Sequence, residues 1–219
     1  MTSVLTGPRA LATVEIAAGA SFAPEVPGVY LILQGRVRYV HVTDEGQAMV
    51  TGVLGAGEAF IFRRPWLPGS PSGYVEAYEE ATLLVVRERD IAELSARQPT
   101  LAAAITRALM RQTTDLLDMV GDLVLANARE RVLRTLIRLA DRHGVPSAQG
   151  DYVRIAVPLK HRDLATLVGA CRETVTNVLA DLAATGAVRT GRATISVCRA
   201  RAIDLLEESR DRHAVTTTA

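Results

Sequence analysis

The chain has 219 residues, of which 48% are hydrophobic and 22% are charged. This composition excludes wholesale disorder, and the length is enough for two domains. The net charge is only +1, so a nucleic-acid-binding surface would need local clustering of basic residues. Two cysteines are too few for a disulfide framework, and no segment is long and apolar enough to span a bilayer. We therefore expect a cytoplasmic protein with no membrane segment.

Short apolar runs separated by glycines fill the region from about Val14 to Val86. Runs such as VYLILQG and ATLLVV are typical of strands joined by tight turns. The segment TDEGQ lies between two runs and predicts a hairpin turn, because Asp and Gly tolerate the backbone angles of a reversal. Many short strands with regular turns predict a closed barrel or a jelly roll, which we assign to residues 1–98 as a sensor domain.

A long apolar helix is predicted from Pro99 toward Glu130, with residues 99–127 as a dimerisation helix. The positions with the 4-3-4-3 spacing of a coiled-coil seam are Leu109, Thr113, Leu116, Val120 and Leu123. The apolar arc is wide enough for two packing partners, the β domain and the same helix of a second chain. The predicted homodimer interface consists of Leu109, Leu116, Val120 and Leu123. The alternative is a core helix of a monomer.

Residues 128–219 predict a helix, an exposed loop from Gly144 to Val153, and then a winged helix-turn-helix. The first helix of the motif is followed by a turn at Gly169, and the second ends at Gly186. The inward positions of the two helices are Leu164, Leu167, Val168, Val175, Val178, Leu179 and Leu182. A β-hairpin around Thr190-Gly191-Arg192 forms the wing.

The second helix leaves Arg172 and Glu173 outward at its start, where a recognition helix meets base edges. Arginine binds guanine through O6 and N7, and a carboxylate accepts from cytosine N4. The predicted base-reading residues are Arg172, Glu173, Thr176 and Asn177. The predicted phosphate contacts are Lys160, Arg162, Arg189 and Arg192. The alternative is that Arg172 and Glu173 form a solvated helix end, with Glu173 near the positive end of the dipole.

Three segments carry a resemblance to a known family: VGACRETVTNVLADL at the second helix, and GVYLILQGRVRYV and GAGEAF before it. In these segments the chain resembles the bacterial regulators related to the cAMP receptor protein and the fumarate-nitrate regulator, the CRP/FNR family. The resemblance implies an α+β chain with a cyclic-nucleotide-binding-like jelly roll, a dimerisation helix and a winged helix-turn-helix. It also implies a homodimer on double-stranded DNA with an inverted repeat, no enzyme activity, and RNA polymerase as a partner. The family's base-reading positions match Arg172 and Glu173, whereas a third, often arginine, is Asn177, and asparagine prefers adenine.

The effector pocket departs from the family pattern. Members that bind cyclic nucleotide carry a Gly-Glu and an Arg-Ser pair after the GEAF-type turn, and a Thr-Ser pair on the long helix. The segment FIFRRPWLPGSPSGYVEA has neither of the first two pairs, and Leu116 and Leu117 stand at the third. We therefore expect no cAMP binding, and action either without an effector or with an unidentified one. The candidate pocket residues are Phe60, Phe62, Arg63, Arg64 and Leu117, although Arg63 and Arg64 also fit a solvated loop.

No metal or other cofactor is predicted. The N-terminus lacks the cysteines of the fumarate-nitrate type, and His41, His143, His161 and His213 are scattered without metal-ligand spacing. Cys171 stands where a helix N-terminus can lower a thiol's pKa, but a small residue filling the turn is the alternative. The rival function is a ligand-binding or enzymatic barrel whose C-terminal helices mediate protein contacts only. The sequence leaves activation or repression open.

Overall fold

The structure is a computed structural model that describes residues 11–43, 45–46, 48–64, 72–148 and 150–217, except for the side chains of residues 212–217. It divides into two compact units, one up to Asp118 and one from Met119. The division falls inside the long helix, which therefore contributes to both units. The predicted segments 1–98, 99–127 and 128–219 remain a sequence-based division.

Two antiparallel four-stranded sheets form the first unit in the described part of the chain. The strands are β1 (Leu11–Ile16), β2 (Ser21–Phe22), β3 (Gly28–Gln34), β4 (Val37–Val42), β5 (Ala48–Leu54), β6 (Ala59–Phe62), β7 (Ser72–Ala77) and β8 (Ala81–Arg87). The sheet orders are β1-β8-β3-β6 and β2-β7-β4-β5. The jelly-roll prediction is confirmed, and the closed-barrel alternative is wrong because the strands stay in two separate sheets.

The core of this unit lies between the two sheets. Val14 and Ile16 on β1 alternate with more exposed residues and pack with Val75 from the other sheet. Strand β3 is different, because Val29 and Leu31 on its other face pack against helices. Burial on both faces explains why β3 is a continuous apolar run in the sequence. In the predicted TDEGQ turn, Gly46 has a φ of +80°, whereas Asp44 and Gln47 lie outside the described residues.

A short 3-10 turn (Glu88–Asp90) and two helices follow the strands, α1 (Ile91–Arg97) and α2 (Pro99–Leu125). Helix α2 buries Ile105 and Ala108 against Val29, Leu31 and their neighbours on the sandwich. This contact confirms that the long helix packs against the β domain. Helix α1 was not predicted.

The predicted continuation of the long helix to Glu130 is wrong, because helix α2 ends at Leu125. Asn127 begins a new helix, α3 (Ala128–His143). The Asn127 side chain accepts a hydrogen bond from the Glu130 backbone N–H at 3.0 Å, and the Glu130 carboxylate accepts from the Asn127 N–H at 3.2 Å. This capping box satisfies two of the N–H groups that a helix start leaves unpaired.

The second unit continues after α3 with strands and helices that carry the winged helix-turn-helix. Its elements are β9 (Gly144–Pro146), β10 (Tyr152–Ile155), α4 (His161–Val168), α5 (Arg172–Ala184), β11 (Val188–Gly191), β12 (Thr194–Cys198) and α6 (Arg199–Thr217). The sheet order is β11-β12-β10-β9. The predicted loop from Gly144 to Val153 is therefore partly wrong, since its two ends pair as antiparallel strands and only the residues between them connect the strands.

Candidate DNA-binding surface

Helix α4, the first of the helix-turn-helix, is fixed at both ends. At its start the Asp163 carboxylate accepts a hydrogen bond from the Lys160 backbone N–H at 3.2 Å. At its end Gly169 adopts the left-handed conformation, with φ +59° and ψ +48°. A Cβ at Gly169 would also lie 2.6 Å from Leu123 Cδ2. The left-handed backbone angle therefore favours glycine at the predicted turn, whereas the close contact involves only the end of the flexible Leu123 side chain.

Helix α5 begins at a cysteine cap. The Cys171 Sγ accepts from the Thr174 backbone N–H at 3.4 Å and lies 3.0 Å from the Thr174 Oγ1. The hydrogen bond from the Thr174 hydroxyl, with that from its backbone N–H, lowers the pKa of the Cys171 thiol, which is exposed to solvent. Cys171 thus caps the helix and is exposed in the turn between α4 and α5.

We expect the Cys171 thiol to be alkylated at lower pH than an ordinary thiol, because the thiolate is stabilised by Thr174. The Thr174→Val variant removes the hydroxyl and should raise the pH at which the alkylation rate reaches half its maximum. The measurement is iodoacetamide labelling across a pH series, with the modified peptide quantified by mass spectrometry and Cys171→Ser used to assign the signal. Identical pH profiles for the wild type and Thr174→Val would contradict the assigned cause.

The four predicted base-reading residues, Arg172, Glu173, Thr176 and Asn177, lie on the first two turns of α5 and are all exposed. The opposite face of the helix buries Val175, Leu179 and Leu182 in the second unit. The helical period therefore separates an inner apolar face from an outer polar face, as the sequence indicated.

Residues from α4, α5 and the wing line one cleft of about 390 Å³. Three of its side chains are cationic: the predicted phosphate contacts Lys160 and Arg162, and the predicted base reader Arg172. Gly191 and Ala193 of the wing line the other side. The structure thus brings residues from three separate segments into one basic recess, and a recess of this charge attracts phosphate.

The wing is the hairpin of β11 and β12, and its turn lies at Arg192-Ala193, one position beyond the predicted centre. Ala193 has a φ of +56°, which is uncommon for a residue other than glycine. Of the two arginines predicted to hold phosphates, Arg192 is exposed at the turn. The Arg189 guanidinium lies 4.0 Å from the centre of the Tyr152 ring. This cation–π contact orients Arg189 at the base of the wing.

The sequence did not indicate that two residues of this surface, Tyr152 and His161, make contacts that position it. Tyr152 donates its hydroxyl hydrogen bond to the Gly186 carbonyl at 2.6 Å, which ties β10 to the end of α5. His161, at the start of α4, places its Nδ1 atom 3.0 Å from the Thr176 Oγ1. Nothing in the local pattern around either residue indicates its partner, because each contact joins segments far apart in sequence.

Not every basic residue near the motif is available to DNA. The Arg199 guanidinium pairs with the Asp141 carboxylate at 2.9 Å, and Arg201 pairs with Glu208 at 3.1 Å. Both arginines belong to α6. In the cleft, Arg162 also lies 3.5 Å from the Asp163 carboxylate. The local excess of positive charge inferred from the sequence therefore rests mainly on Lys160, Arg172 and the wing rather than on α6.

The candidate effector residues lie in two different environments of the first unit. Phe60 and Phe62 are buried in the sandwich, whereas Arg63, Arg64 and Leu117 are exposed. The rest of the predicted effector segment, residues 65–71, lies outside the described residues.

An aromatic stack fills the space between the two sheets. The Phe60 ring lies 5.0 Å from the Tyr30 ring centre and 4.6 Å from that of Tyr39, and both pairs are stacked. The Tyr30 hydroxyl donates to the Val26 carbonyl at 2.8 Å, and burial raises the pKa of Tyr30 to about 12. Phe60 is therefore packed against two of the protein's own aromatic rings.

The predicted dimer residues differ in their surroundings. Leu109 packs against the sandwich of its own unit. Leu116, Val120 and Leu123 are exposed by 38%, 55% and 41%. The neighbouring Leu117 and Val124 are exposed by 67% and 75%. The second half of α2 therefore carries an unusually apolar exposed face.

Within the described ranges, no helix is long and apolar enough to cross a membrane. The same residues contain no group of three or more His, Cys, Asp or Glu side chains placed to hold a metal ion.

Comparison with known proteins decides the family. The Crp-like helix-turn-helix domain matches residues 130–204, and the cyclic nucleotide-binding domain matches residues 23–98. The cyclic AMP receptor protein of Thermus thermophilus is 33% identical over 82% of this chain and 78% of that protein. The chain belongs to the CRP/FNR family of transcription regulators. Members of this family are regulators and not enzymes, and this CRP/FNR chain carries its DNA-binding helix-turn-helix in the second unit.

Two further relatives agree with this assignment. The CRP-like cAMP-activated global transcriptional regulator of Mycobacterium tuberculosis is 27% identical over 77% of this chain and 75% of that protein. The solved structure of TTHA1359, a transcriptional regulator of the CRP/FNR family from Thermus thermophilus, aligns with a TM-score of 0.68 at 24% identity. It covers 89% of this chain and 98% of that one. At this identity the structural likeness shows that the CRP/FNR fold is shared.

Proposed function

We propose that this CRP/FNR regulator acts as a homodimer, recognises an inverted-repeat DNA site through α5, and does so without cAMP. The observation that carries the proposal is the basic cleft that joins α4, α5 and the wing next to the exposed face of α5. Base-reading groups and phosphate-binding groups stand side by side there, as sequence-specific DNA binding requires.

The homodimer is supported by the apolar face of α2. Exposing leucine and valine side chains to this extent on one long helix costs free energy in water. Pairing of two such helices in a coiled coil buries these side chains. A two-fold dimer presents two copies of α5, and two copies of one reader match a DNA site with inverted-repeat symmetry. RNA polymerase is the partner expected from the family role in transcription.

Independence from cAMP is supported by residues of the first unit. The Thermus relative is named a cyclic AMP receptor protein and the mycobacterial one is named cAMP-activated. In this chain the polar pairs that hold the nucleotide are replaced, and apolar Leu116 and Leu117 stand on α2. The stacked rings of Tyr30, Phe60 and Tyr39 also occupy the space between the sheets. The two leucines offer a charged cyclic phosphate no polar anchor, and the Tyr30 hydroxyl is already bound to the Val26 carbonyl.

Selection of bound duplexes from a random DNA pool by the purified, ligand-free protein tests the proposal. We expect enrichment of an inverted repeat with half-sites about 34 Å apart, one helical turn of DNA. Enrichment that appears only when cAMP is added would contradict independence from cAMP. Absence of enrichment under both conditions would contradict sequence-specific binding, and the rival function as a protein-contact module would then gain support.

Two arginine variants separate base reading from phosphate binding. Arg172→Ala should weaken binding to the selected site by about 1–3 kcal/mol and relax preference at one base pair. Arg192→Ala should weaken binding to selected and scrambled sites alike and lower the salt dependence, because a phosphate contact carries no sequence information. Gel-shift titrations at several salt concentrations measure both effects. Equal losses on both sites for Arg172→Ala would contradict its role as a base reader.

A further inference from the structure

The hydroxyl group of Thr176, on the exposed face of α5, is engaged by the protein itself. It donates a hydrogen bond to the Arg172 carbonyl at 2.9 Å. It also lies 3.0 Å from the Nδ1 atom of His161. A hydroxyl has one hydrogen and two lone pairs. Because the hydrogen is used at the Arg172 carbonyl, the second bond needs its hydrogen from His161 Nδ1, and one lone pair of Thr176 remains.

The methyl group of Thr176 takes part in no hydrogen bond and, with the remaining lone pair, is the part of the side chain left to meet a partner. The Cβ of threonine carries two heavy groups, a hydroxyl and a methyl, in a restricted set of rotamers. The hydrogen bonds to the Arg172 carbonyl and to His161 hold the hydroxyl in one of them. Thr176 remains exposed, one helical turn after Arg172, on the face that carries the other base-reading residues.

We propose that Thr176 recognises thymine through contact between its methyl group and the C5-methyl group of the base, and that His161 is the positioning residue that selects this orientation. The inference rests on the proposed reading of DNA by α5. The C5-methyl is the apolar feature that the major groove presents, and it marks thymine among the four bases. A threonine that offers its hydroxyl would instead contact polar base edges and would not distinguish thymine in this way.

His161 can serve this role because it belongs to the other helix of the motif. It is the first residue of α4, whose Leu164 and Val168 are fully buried. It also lines the basic cleft together with Lys160 and Arg172. The imidazole is therefore anchored by the packing of α4 while it contacts the outer face of α5.

The experiment removes one methyl group from the DNA, the C5-methyl of a thymine, and separately one from the protein, the methyl of Thr176. In the site selected from the random pool, each thymine is replaced in turn by deoxyuridine, which lacks only the C5-methyl. We expect one position per half-site at which this change weakens wild-type binding about fourfold, the effect of losing one buried methyl contact. Thr176→Ser should bind the thymine and uracil sites equally, whereas Thr176→Val, which keeps a methyl, should retain the discrimination.

Thr185→Ser is the matched control. Thr185 stands at the other end of α5, and its hydroxyl likewise donates to a backbone carbonyl, that of Leu182, at 2.9 Å. This variant loses the same methyl and should keep the wild-type ratio between thymine and uracil. His161→Ala should reduce the ratio to less than about twofold without changing the base pair that depends on Arg172, and His161→Asn, which keeps an N–H donor near the same place, should restore part of it.

The outcomes separate this inference from the proposed function. A selected site that binds equally well with uracil at every position would overturn the inference and leave sequence-specific reading intact. A thymine preference that survives Thr176→Ser would also overturn it, because the methyl would then belong to another residue. Preference for adenine or cytosine opposite Thr176 would show that the remaining lone pair is used instead. Failure to select any site would overturn the proposed function itself, and this inference with it.

Discussion

Replacing Val120 by glutamate is expected to convert the protein from a dimer to a monomer and to weaken binding to an inverted-repeat site by about 100-fold or more. Val120 lies on the predicted seam of α2 and is 55% exposed within one chain. In a pair of helices the two carboxylates would face each other in an apolar contact, where an unpaired charge is costly. A monomer loses the gain in affinity that comes from linking two binding sites.

The measurement is analytical ultracentrifugation beside a gel-shift titration on full and half sites. Thr114→Glu is the matched control, because Thr114 is exposed on the same helix but lies outside the seam. This control should remain dimeric and bind like the wild type. Binding of Val120→Glu to a half-site should match that of the wild type, since α5 is unchanged. A dimeric Val120→Glu protein would contradict the predicted interface.

The local pattern was enough to predict most of the motif that binds DNA. Helix α5 has an apolar period and ends near a glycine, and these are properties of neighbouring residues alone. The outer face of that helix, with Arg172 and Asn177, followed from the same period. The strands of the first unit were equally evident from their length and composition, but their grouping into two sheets depends on pairings between distant segments.

Helix α3 was predicted but its start was misplaced, and helix α6 was not predicted, although a local signal was present for both. The spacing of Asn127 and Glu130 is that of a capping box and marks the start of α3. In α6 the buried Ala202 and Leu205 also have helical spacing. Both signals are weaker than the long apolar runs beside them, so neither the start of α3 nor α6 was predicted. Strand β9 is different, because three residues with a proline carry too little local preference to predict a strand.

The contacts that position the site were beyond local reasoning. His161 and Thr176 meet only because α4 and α5 pack at one particular angle. Asp122, near the end of α2, is buried and pairs with Arg134 at 2.8 Å and with Arg138 at 3.1 Å. In the sequence Asp122 is simply a charged residue in an apolar helix. Its two partners become apparent only when α3 brings both arginines next to it.

A second prediction with a large effect concerns Arg131 on α3, whose guanidinium binds three backbone carbonyls. It donates to Val168 and Ala126, each at 2.8 Å, and to Gly169 at 3.4 Å. The Val168 carbonyl lies at the end of α4, the Gly169 carbonyl at the turn of the motif, and the Ala126 carbonyl between α2 and α3. Helix ends leave such carbonyls without partners inside the helix. One side chain therefore joins the break after α2 to the turn before the recognition helix.

We expect Arg131→Ala to lower the free energy of unfolding of the second unit by about 2–4 kcal/mol, because charge-assisted hydrogen bonds are lost and partly buried carbonyls are left unpaired. Arg131→Lys should recover only part of this, since an ammonium group does not have the planar fork that reaches three acceptors. Urea unfolding of the full chain followed by circular dichroism gives the free energies, with Arg129→Ala on the same helix as the control, expected within about 0.5 kcal/mol of the wild type.

Hydrogen exchange decides whether the loss is local to the motif. In Arg131→Ala the amides from Gly169 to Arg172 should exchange faster than in the wild type, while those of the sandwich in the first unit should be unchanged. Faster exchange at the turn would place the start of α5 under the control of Arg131, so that DNA affinity should fall even at temperatures where the variant is folded. An Arg131→Ala protein as stable as Arg129→Ala, with wild-type exchange at the turn, would contradict this role, and the start of α5 would then depend on the Gly169 conformation and the Cys171 cap alone.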